Sequence, residues 1–187
     1  TLRHTLFPYT TLFRSLAHYY VYWGTDADGT DTYTTTTAAH DLDPVTSGTY
    51  YLRVDTEDEA GNRAGWATLY EFKYDNTAPT NPSRSVDTWG CGEDGVWQND
   101  CNDLGDVAFP EGSDGDSGVA GYYVYWGPES DGTSTDFDIG SNLANPDPVG
   151  SGTYYLRVDT ADNAGNRAGW KTLFEFKYDG TAPNALT

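Results

Sequence analysis

The chain has 187 residues, of which 37% are hydrophobic and 15% aromatic, and its formal net charge at pH 7 is -19. A negative charge of this size repels nucleic acids and anionic membrane surfaces, so we expect neither as a partner. Because no stretch of the sequence is long and apolar enough for a transmembrane helix, we expect no insertion into a membrane.

The N-terminal segment differs from the rest of the sequence. Residues 5–15 read TLFPYTTLFRS, which resembles the in-frame translation of a common short-read sequencing adapter at every position. The resemblance implies an assembly artefact in metagenomic DNA. We therefore expect residues 1–15 to lie outside the fold.

An internal repeat organises the remaining sequence. Residues 45–79 recur as residues 149–183 at an offset of 104, with six differences. Upstream of this block, the motif YYVYWG at residues 19–24 recurs at residues 122–127. Self-similarity at a fixed spacing is typical of tandem modules.

The repeat predicts the division of the chain into modules. We expect a truncated copy over residues 16–76, a complete copy over residues 77–180, and the start of a third copy over residues 181–187. The truncated copy lacks the counterpart of about residues 77–118. In a sandwich these residues form the first two strands, so we expect the inner face of the truncated copy to be partly uncovered.

Alternating residues within the complete copy predict half-buried β-strands. Tyr122, Val124 and Trp126 share one face, and the same period of two recurs over residues 154–158 and 174–178. Turn-forming residues separate these segments. Several short strands with such turns between them predict an antiparallel β-sandwich.

Three motifs carry a resemblance to a known family. The sequences GYYVYW at 121–126, GTYYLRV at 152–158 and AGN at 164–166 resemble the C, F and G region of fibronectin type III domains and of related bacterial Ig-like repeats. The resemblance implies an all-β, immunoglobulin-like or fibronectin type III-like antiparallel β-sandwich, in a tandem repeat with the first copy truncated. It also implies that Tyr154 is a tyrosine corner, whose hydroxyl bonds to the backbone.

The sequence departs from the family pattern near its predicted strand B. Related repeats usually have a tryptophan soon after the aromatic residue of that strand, whereas this chain has Phe109-Pro110. We therefore expect Trp97 or Trp89 to fill this part of the core.

Cys91 and Cys101 enclose a short loop between the first predicted strands. In an extracellular protein we expect them to form a disulfide bond, which would stabilise the fold by about 2 to 3 kcal/mol through loop entropy. The alternative is a pair of free thiols in a cytosolic chain. Two cysteines without further ligands are too few for a zinc site.

Acidic turns suggest a calcium site. In the sandwich topology that the resemblance implies, the loop with Asp114 and Asp116 and the loop with Asp162 lie at the end where the preceding module enters through Asp75. Calcium sites are commonly assembled from several such loops. We therefore predict an inter-module Ca²⁺ site formed by these four aspartates, with plain Asx turns as the alternative.

The sequence does not favour catalysis. Its histidines are His4, His18 and His40, so none lies from residue 77 onward, where a nucleophile would need a base. The many carboxylates lie in polar turns, where nothing raises a pKa by burial. We therefore expect no enzyme and no catalytic residue.

Two functions remain open. The first is a non-catalytic structural spacer or adhesion module in a tandem array, secreted or at the cell surface, with neighbouring repeats and a cell-surface or polysaccharide ligand as partners. The alternative is a carbohydrate-binding accessory module of a secreted enzyme. For that alternative the outward-facing Tyr123, Tyr125 and Tyr155 would form an aromatic platform that stacks against sugars.

Overall fold

The computed structural model describes residues 15–30, 33–36, 45–83, 88–89, 92–100, 102, 105–139, 143–144, 147 and 149–185. Within these ranges every regular element is a β-strand, and no helix capable of spanning a membrane is found there. The chain divides into two compact units, residues 1–75 and residues 76–187. We call them the first unit and the second unit.

The first unit contains a four-stranded antiparallel sheet. Its strands are β1 (Leu16–Gly24), β2 (Tyr33–Thr35), β3 (Gly48–Asp58) and β4 (Ala67–Tyr74). They lie in the order β2-β1-β3-β4. The period of two puts apolar side chains such as Val21 and Leu52 on one face of β1 and β3, and it puts tyrosines of β1 and charged side chains of β3 on the other, as half-buried strands require.

The second unit contains nine further strands within its described residues. They are β5 (Thr88–Trp89), β6 (Gly92–Glu93), β7 (Trp97–Gln98), β8 (Val107–Ala108), β9 (Val119–Gly127), β10 (Phe137–Ile139), β11 (Leu143–Ala144), β12 (Gly152–Asp162) and β13 (Lys171–Tyr178). The three strands predicted from the period of two are therefore confirmed, as β9, β12 and β13.

The strand order of the second unit defines its topology. The larger sheet has the order β10-β9-β12-β13-β7, in which β7 joins β13 in parallel and the other neighbours are antiparallel. Strand β8 pairs with β11, and a bridge joins Thr80 to Ser113. In immunoglobulin-like sandwiches a sheet of strands C′, C, F and G faces strands B and E. Here β10, β9, β12 and β13 correspond to the first set, and β8 and β11 correspond to strands B and E. The predicted all-β sandwich is therefore confirmed.

The core of the second unit lies between the larger sheet and the β8–β11 pair. Its buried residues are Val107, Phe109, Tyr122, Ala144, Leu156, Val158, Leu173, Phe174 and Phe176. The Phe109 ring meets the Tyr122 ring edge-on, with centroids 5.1 Å apart. Such pairs contribute beyond the area that they bury.

Phe109 itself fills the region for which we expected a tryptophan. Its side chain is only 1% exposed, whereas Trp97 is 59% exposed. The prediction for Trp97 is therefore wrong, because β7 pairs through its backbone with the edge of β13 and does not enter the layer that covers the sheet. The side chain of Trp89 lies outside the part of the structure that is described.

The sheets of the two units share one register but differ in burial. Each has a β-bulge at the same place, between Leu52 and Arg53 in the first unit and between Leu156 and Arg157 in the second. The side chain of the extra residue at the bulge is covered only in the second unit, where Leu173 is 2% exposed against 64% for its equivalent Leu69. The inner face of the first sheet is thus open to solvent at β4.

Candidate functional site

A buried aspartate closes the turn between β12 and β13. The carboxylate of Asp159, which is 3% exposed, accepts a hydrogen bond at Oδ1 from the Gly169 amide (2.8 Å) and forms an ion pair through Oδ2 with Arg167 Nη2 (2.6 Å). Gly169 has a φ of 86°, a backbone conformation that favours glycine. We call Asp159, Arg167 and Gly169 the Asp–Arg clip.

The first unit contains the same clip. Asp55 Oδ1 accepts a hydrogen bond from the Gly65 amide at 2.8 Å, and Asp55 Oδ2 lies 2.8 Å from Arg63 Nη2. Asp55 is buried like its counterpart. Since a buried carboxylate is costly without a partner, the ion pair and the amide bond together keep this side chain in place.

Each clip also fixes an aromatic side chain. The guanidinium of Arg167 lies over the Tyr123 ring, with Cζ 3.7 Å from the centroid, and Arg63 lies 3.9 Å over Tyr20 in the same way. Tyr123 is directly opposite Asp159 in the β9–β12 register. Trp170 flanks the same guanidinium, with its ring 6.0 Å from Arg167 Cζ. Arginine is suited to this position because its planar head can stack and pair at once.

The clip is the functional feature that sequence reasoning did not find. Its signal is present in the sequence, since an aspartate on a strand with an arginine eight residues later occurs in both copies, at Asp55 with Arg63 and at Asp159 with Arg167. The ion pair depends on the geometry of the turn between the two residues, however, and the stacking depends on the register between two strands. The spacing in the sequence reveals neither.

The proposed carbohydrate platform lies on the same outer face. Tyr123, Tyr125 and Tyr155 alternate with core residues of β9 and β12, as predicted for outward-facing positions. The Tyr123 ring is held between Arg167 and Phe137, whose ring centroid is 4.6 Å away. Tyr155 stands opposite Glu175 in the register with β13.

Tyr125 is engaged within its own turn. Its hydroxyl donates a hydrogen bond to the Glu129 carboxylate and accepts one from the Glu129 amide at 3.1 Å. The backbone of Gly132 passes against the ring so closely that any Cβ at that position would clash with it. Burial raises the pKa of Tyr125, and the hydrogen bond to Glu129 raises this pKa further. Sugar stacking on these tyrosines stays a prediction.

The acidic loops of the second unit contain two Asx turns. Asp114 Oδ2 accepts hydrogen bonds from the amides of Asp116, Ser117 and Gly118, at 3.1, 2.9 and 2.7 Å. The amides of residues 164 and 166 donate to Asp162 Oδ1 at 2.9 and 2.8 Å. Such bonds are the turn chemistry that the sequence offered as the alternative to calcium.

Two of the four predicted calcium ligands come together within the second unit. Carboxylate oxygens of Asp114 and Asp162 lie within 4.8 Å of each other. Asp116 is exposed and contributes its amide to the Asp114 turn. Asp75 is the last residue of the first unit, where it accepts a hydrogen bond from Ser47 Oγ at 3.4 Å. Two carboxylates offer fewer oxygens than the six to eight that Ca²⁺ takes, so the site stays a prediction.

Three further sequence predictions have the following positions. Cys91 and Cys101 lie outside the described residues, as does most of the adapter-like segment. Tyr154 stacks against Trp126, with ring centroids 5.8 Å apart, and its role as a tyrosine corner stays a prediction. A tyrosine-to-backbone bond is made nearby by Tyr122, whose hydroxyl oxygen accepts a hydrogen bond from the Gly112 amide at 2.8 Å.

No protein family matches the chain, and no curated protein matches it. Among solved structures, the Clostridium thermocellum CbhA fibronectin(III)-like modules match it with 13% identity, over 94% of this chain and 85% of that chain, at a TM-score of 0.38. The strand order of the second unit defines the class of fold, an immunoglobulin-like or fibronectin type III-like β-sandwich.

Proposed function

We propose that the chain is a non-catalytic structural spacer or adhesion module of a secreted or cell-surface protein. The observation that carries this proposal is the recurrence of one sheet with one Asp–Arg clip in both units, at Asp55 with Arg63 and at Asp159 with Arg167. A module that spans distance benefits from repeating one rigid unit, and its natural partners are neighbouring copies.

The bonding of the buried carboxylates supports a non-catalytic role. In the second unit Asp159 and Asp162 are both buried, and both accept hydrogen bonds from turn amides. A general acid or base must reach the proton that it transfers in a bound substrate. Carboxylates committed to turn amides and to an arginine serve to hold the turn.

Stretching single molecules tests the spacer function. With the full chain tethered at both ends, we expect one cooperative unfolding event from the second unit, which releases about 100 residues or roughly 350 Å of contour length. Its force should be the same with and without polysaccharide in the buffer. A chain that extends without any such event would be no mechanical spacer.

A carbohydrate-binding accessory module is the competing function. Glycan-array binding by the full chain, abolished by Tyr125→Ala and retained by Trp97→Ala, an exposed aromatic residue outside the platform, would replace the spacer proposal with this one. Absence of binding to every polysaccharide on the array would remove it. Because Tyr125 is held by Glu129, the folded state of the variant should be verified by circular dichroism.

Calcium binding is a separate proposal for the loops of Asp114 and Asp162. We propose that Ca²⁺ binds their carboxylates together with Asp116 and stiffens the loops. In the full chain, millimolar Ca²⁺ should then raise the melting temperature, and Asp114→Asn should abolish the rise. Asp131→Asn, in a different turn, is the matched control. Calorimetry that detects neither heat nor a melting shift would show that the loops are plain Asx turns.

A further inference from the structure

Three polar side chains meet on the outer face of the first sheet. His18 and Tyr20 lie on the same side of β1 because they are two residues apart, and Glu57 stands opposite His18 on β3. The Tyr20 hydroxyl donates a hydrogen bond to Glu57 Oε2 at 2.7 Å and lies 2.9 Å from His18 Nε2. His18 Nε2 and Glu57 Oε2 are 3.7 Å apart. We call these three residues the His–Tyr–Glu cluster.

The two units differ at the positions of the His–Tyr–Glu cluster. The register that pairs His18 with Glu57 in the first unit pairs Gly121 with Ala161 in the second. The tyrosine is retained there as Tyr123. Both units build the same pairing of strands at this point, so the histidine and the glutamate of the first unit are not needed to form the sheet.

The three polar atoms of the cluster are spaced as the ligands of one metal ion are. Their separations of 2.9, 2.7 and 3.7 Å put them on a circle with a radius of about 1.9 Å, so an ion about 2.1 Å from each atom, a usual bond length for Zn²⁺, fits about 1 Å outside their plane. The side chains of His18 and Glu57 are 26% and 20% exposed. Water can therefore reach the ion as a fourth ligand.

The charges around the cluster favour a cation. The exposed Glu59 lies two residues beyond Glu57, and the formal net charge of the chain is -19. Arg63 lies over the Tyr20 ring, with Cζ 3.9 Å from the centroid, but its guanidinium is paired with the buried carboxylate of Asp55 at 2.8 Å. The negative potential of the surrounding surface therefore attracts a divalent ion to the cluster.

We propose that His18, Tyr20 and Glu57 bind a divalent transition-metal ion of the class of Zn²⁺. An imidazole ligand favours such ions over Mg²⁺ and Ca²⁺, which take oxygen ligands. Without an ion, the hydrogen bond to Glu57 raises the pKa of Tyr20, so its hydroxyl keeps its proton. On binding, the neutral imidazole donates its Nε2 lone pair, and the ion lowers the pKa of Tyr20, whose proton passes to solvent. The site joins β1 to β3 and does not depend on the spacer function.

Titration of the full chain with ZnCl₂ tests the proposal. Millimolar Ca²⁺ in the buffer occupies sites made of oxygen ligands alone. At neutral pH we expect saturable binding by calorimetry, together with a rise in the ultraviolet absorbance of tyrosinate. His18→Gln and Glu57→Gln should each weaken binding at least about ten-fold, the loss typical of removing one supporting group from a metal site. Tyr20→Phe should abolish the rise in absorbance.

Two variants are matched controls. Glu59→Gln removes the same charge as Glu57→Gln at a position two residues away, and His40→Gln removes a different histidine. Both should bind Zn²⁺ as the wild-type chain does. Because the second unit keeps the same strand pairing with Gly121 and Ala161, variants of the cluster should keep their fold, which circular dichroism verifies.

Four results would overturn the proposal. No saturable binding of Zn²⁺ would mean that the three side chains only bond to one another. Equal weakening by Glu59→Gln and Glu57→Gln would show a general attraction of the ion to the acidic surface. Binding that His18→Gln leaves unchanged would place the ion elsewhere, and so would a rise in tyrosinate absorbance that persists in Tyr20→Phe.

Discussion

Single arginine side chains connect a turn to a neighbouring strand on the outer face of each sheet. Arg167 pairs with the buried Asp159 and stacks on Tyr123, so one side chain joins the turn after β12 to the neighbouring strand β9. Asp159 also holds the Gly169 amide. Loss of the arginine would leave a buried carboxylate with a single partner, which is unfavourable in a low-dielectric environment.

We predict that Arg167→Ala destabilises the second unit by about 2 kcal/mol, less than a fully buried pair because the guanidinium is partly exposed. Arg167→Lys should cost part of this, since lysine keeps the charge but loses the planar stack. Urea unfolding followed by tryptophan fluorescence measures both effects. Arg63→Ala in the first unit is the matched control and should leave the midpoint of the second unit unchanged. An unaltered midpoint in Arg167→Ala would show that the clip does not stabilise the turn.

Tyr125 gives a prediction for alkaline pH. Burial and the bond to Glu129 raise the pKa of Tyr125 in the folded chain, so the unfolded chain releases this proton first. The corresponding stability is fully present below the unfolded pKa of about 10 and is lost as the pH rises through the folded value. Stability measured between pH 8 and pH 11 should therefore fall more steeply in the wild-type chain than in Tyr125→Phe. Parallel curves for the two chains would contradict this assignment.

At the level of strands, the second layer decides how much each side chain contributes to stability. β4 and β13 have nearly the same sequence, yet only β13 lies beneath β8 and β11. Apolar burial, rather than strand pairing alone, supplies most of the stability of a sheet. Equivalent substitutions in the two strands should therefore have different effects.

We predict that Leu173→Ala costs about 2 to 5 kcal/mol, as expected for a buried leucine. Leu69→Ala at the equivalent exposed position should change stability by no more than about 0.5 kcal/mol. Denaturant unfolding of the full chain measures both values. Comparable losses in the two variants would mean that the inner face of the first sheet is covered in solution.

The strands that sequence reasoning recovered are the long ones. Alternation over residues 122–126, 154–158 and 174–178 predicts β9, β12 and β13 because each presents one face to the core. Strands of two or three residues, such as β8 and β11, contain too few positions to show a period. Trp97 was assigned to the core by analogy, but its strand lies at the sheet edge, and a pairing with β13 cannot be read from local sequence.

The candidate sites also include one feature that the sequence predicts and one that it does not. The sandwich topology that the family resemblance implies is sufficient to predict that Asp114 and Asp162 lie at one end of the sandwich, because it places their two loops at the same sheet ends. The Asp–Arg clip required knowledge of which residues stand opposite each other on β9 and β12. Register is a property of strand pairing and turn geometry, so a single strand does not reveal it.

For the molecule as a whole, the two units should differ in local stability. We predict that amides of β12 and β13 exchange with solvent deuterium at least about ten-fold more slowly than the equivalent amides of β3 and β4, since the first sheet has fewer buried contacts. Mass spectrometry of the full chain after deuterium labelling makes this comparison within one sample. Equal protection of both sheets would indicate that the first is as well covered as the second.

The position of residues 105–118 along the chain determines when Val107 and Phe109 leave the ribosome during synthesis. The first sheet, complete at Tyr74, leaves the ribosome before residues 105–118, and these residues leave before β9 to β13. For that interval the side chains of Val107 and Phe109 are not yet covered by the strands of the larger sheet of the second unit. The nascent second unit therefore exposes the apolar residues of its smaller layer until that sheet has formed, a stage at which proteins built from near-identical modules are prone to misassembly.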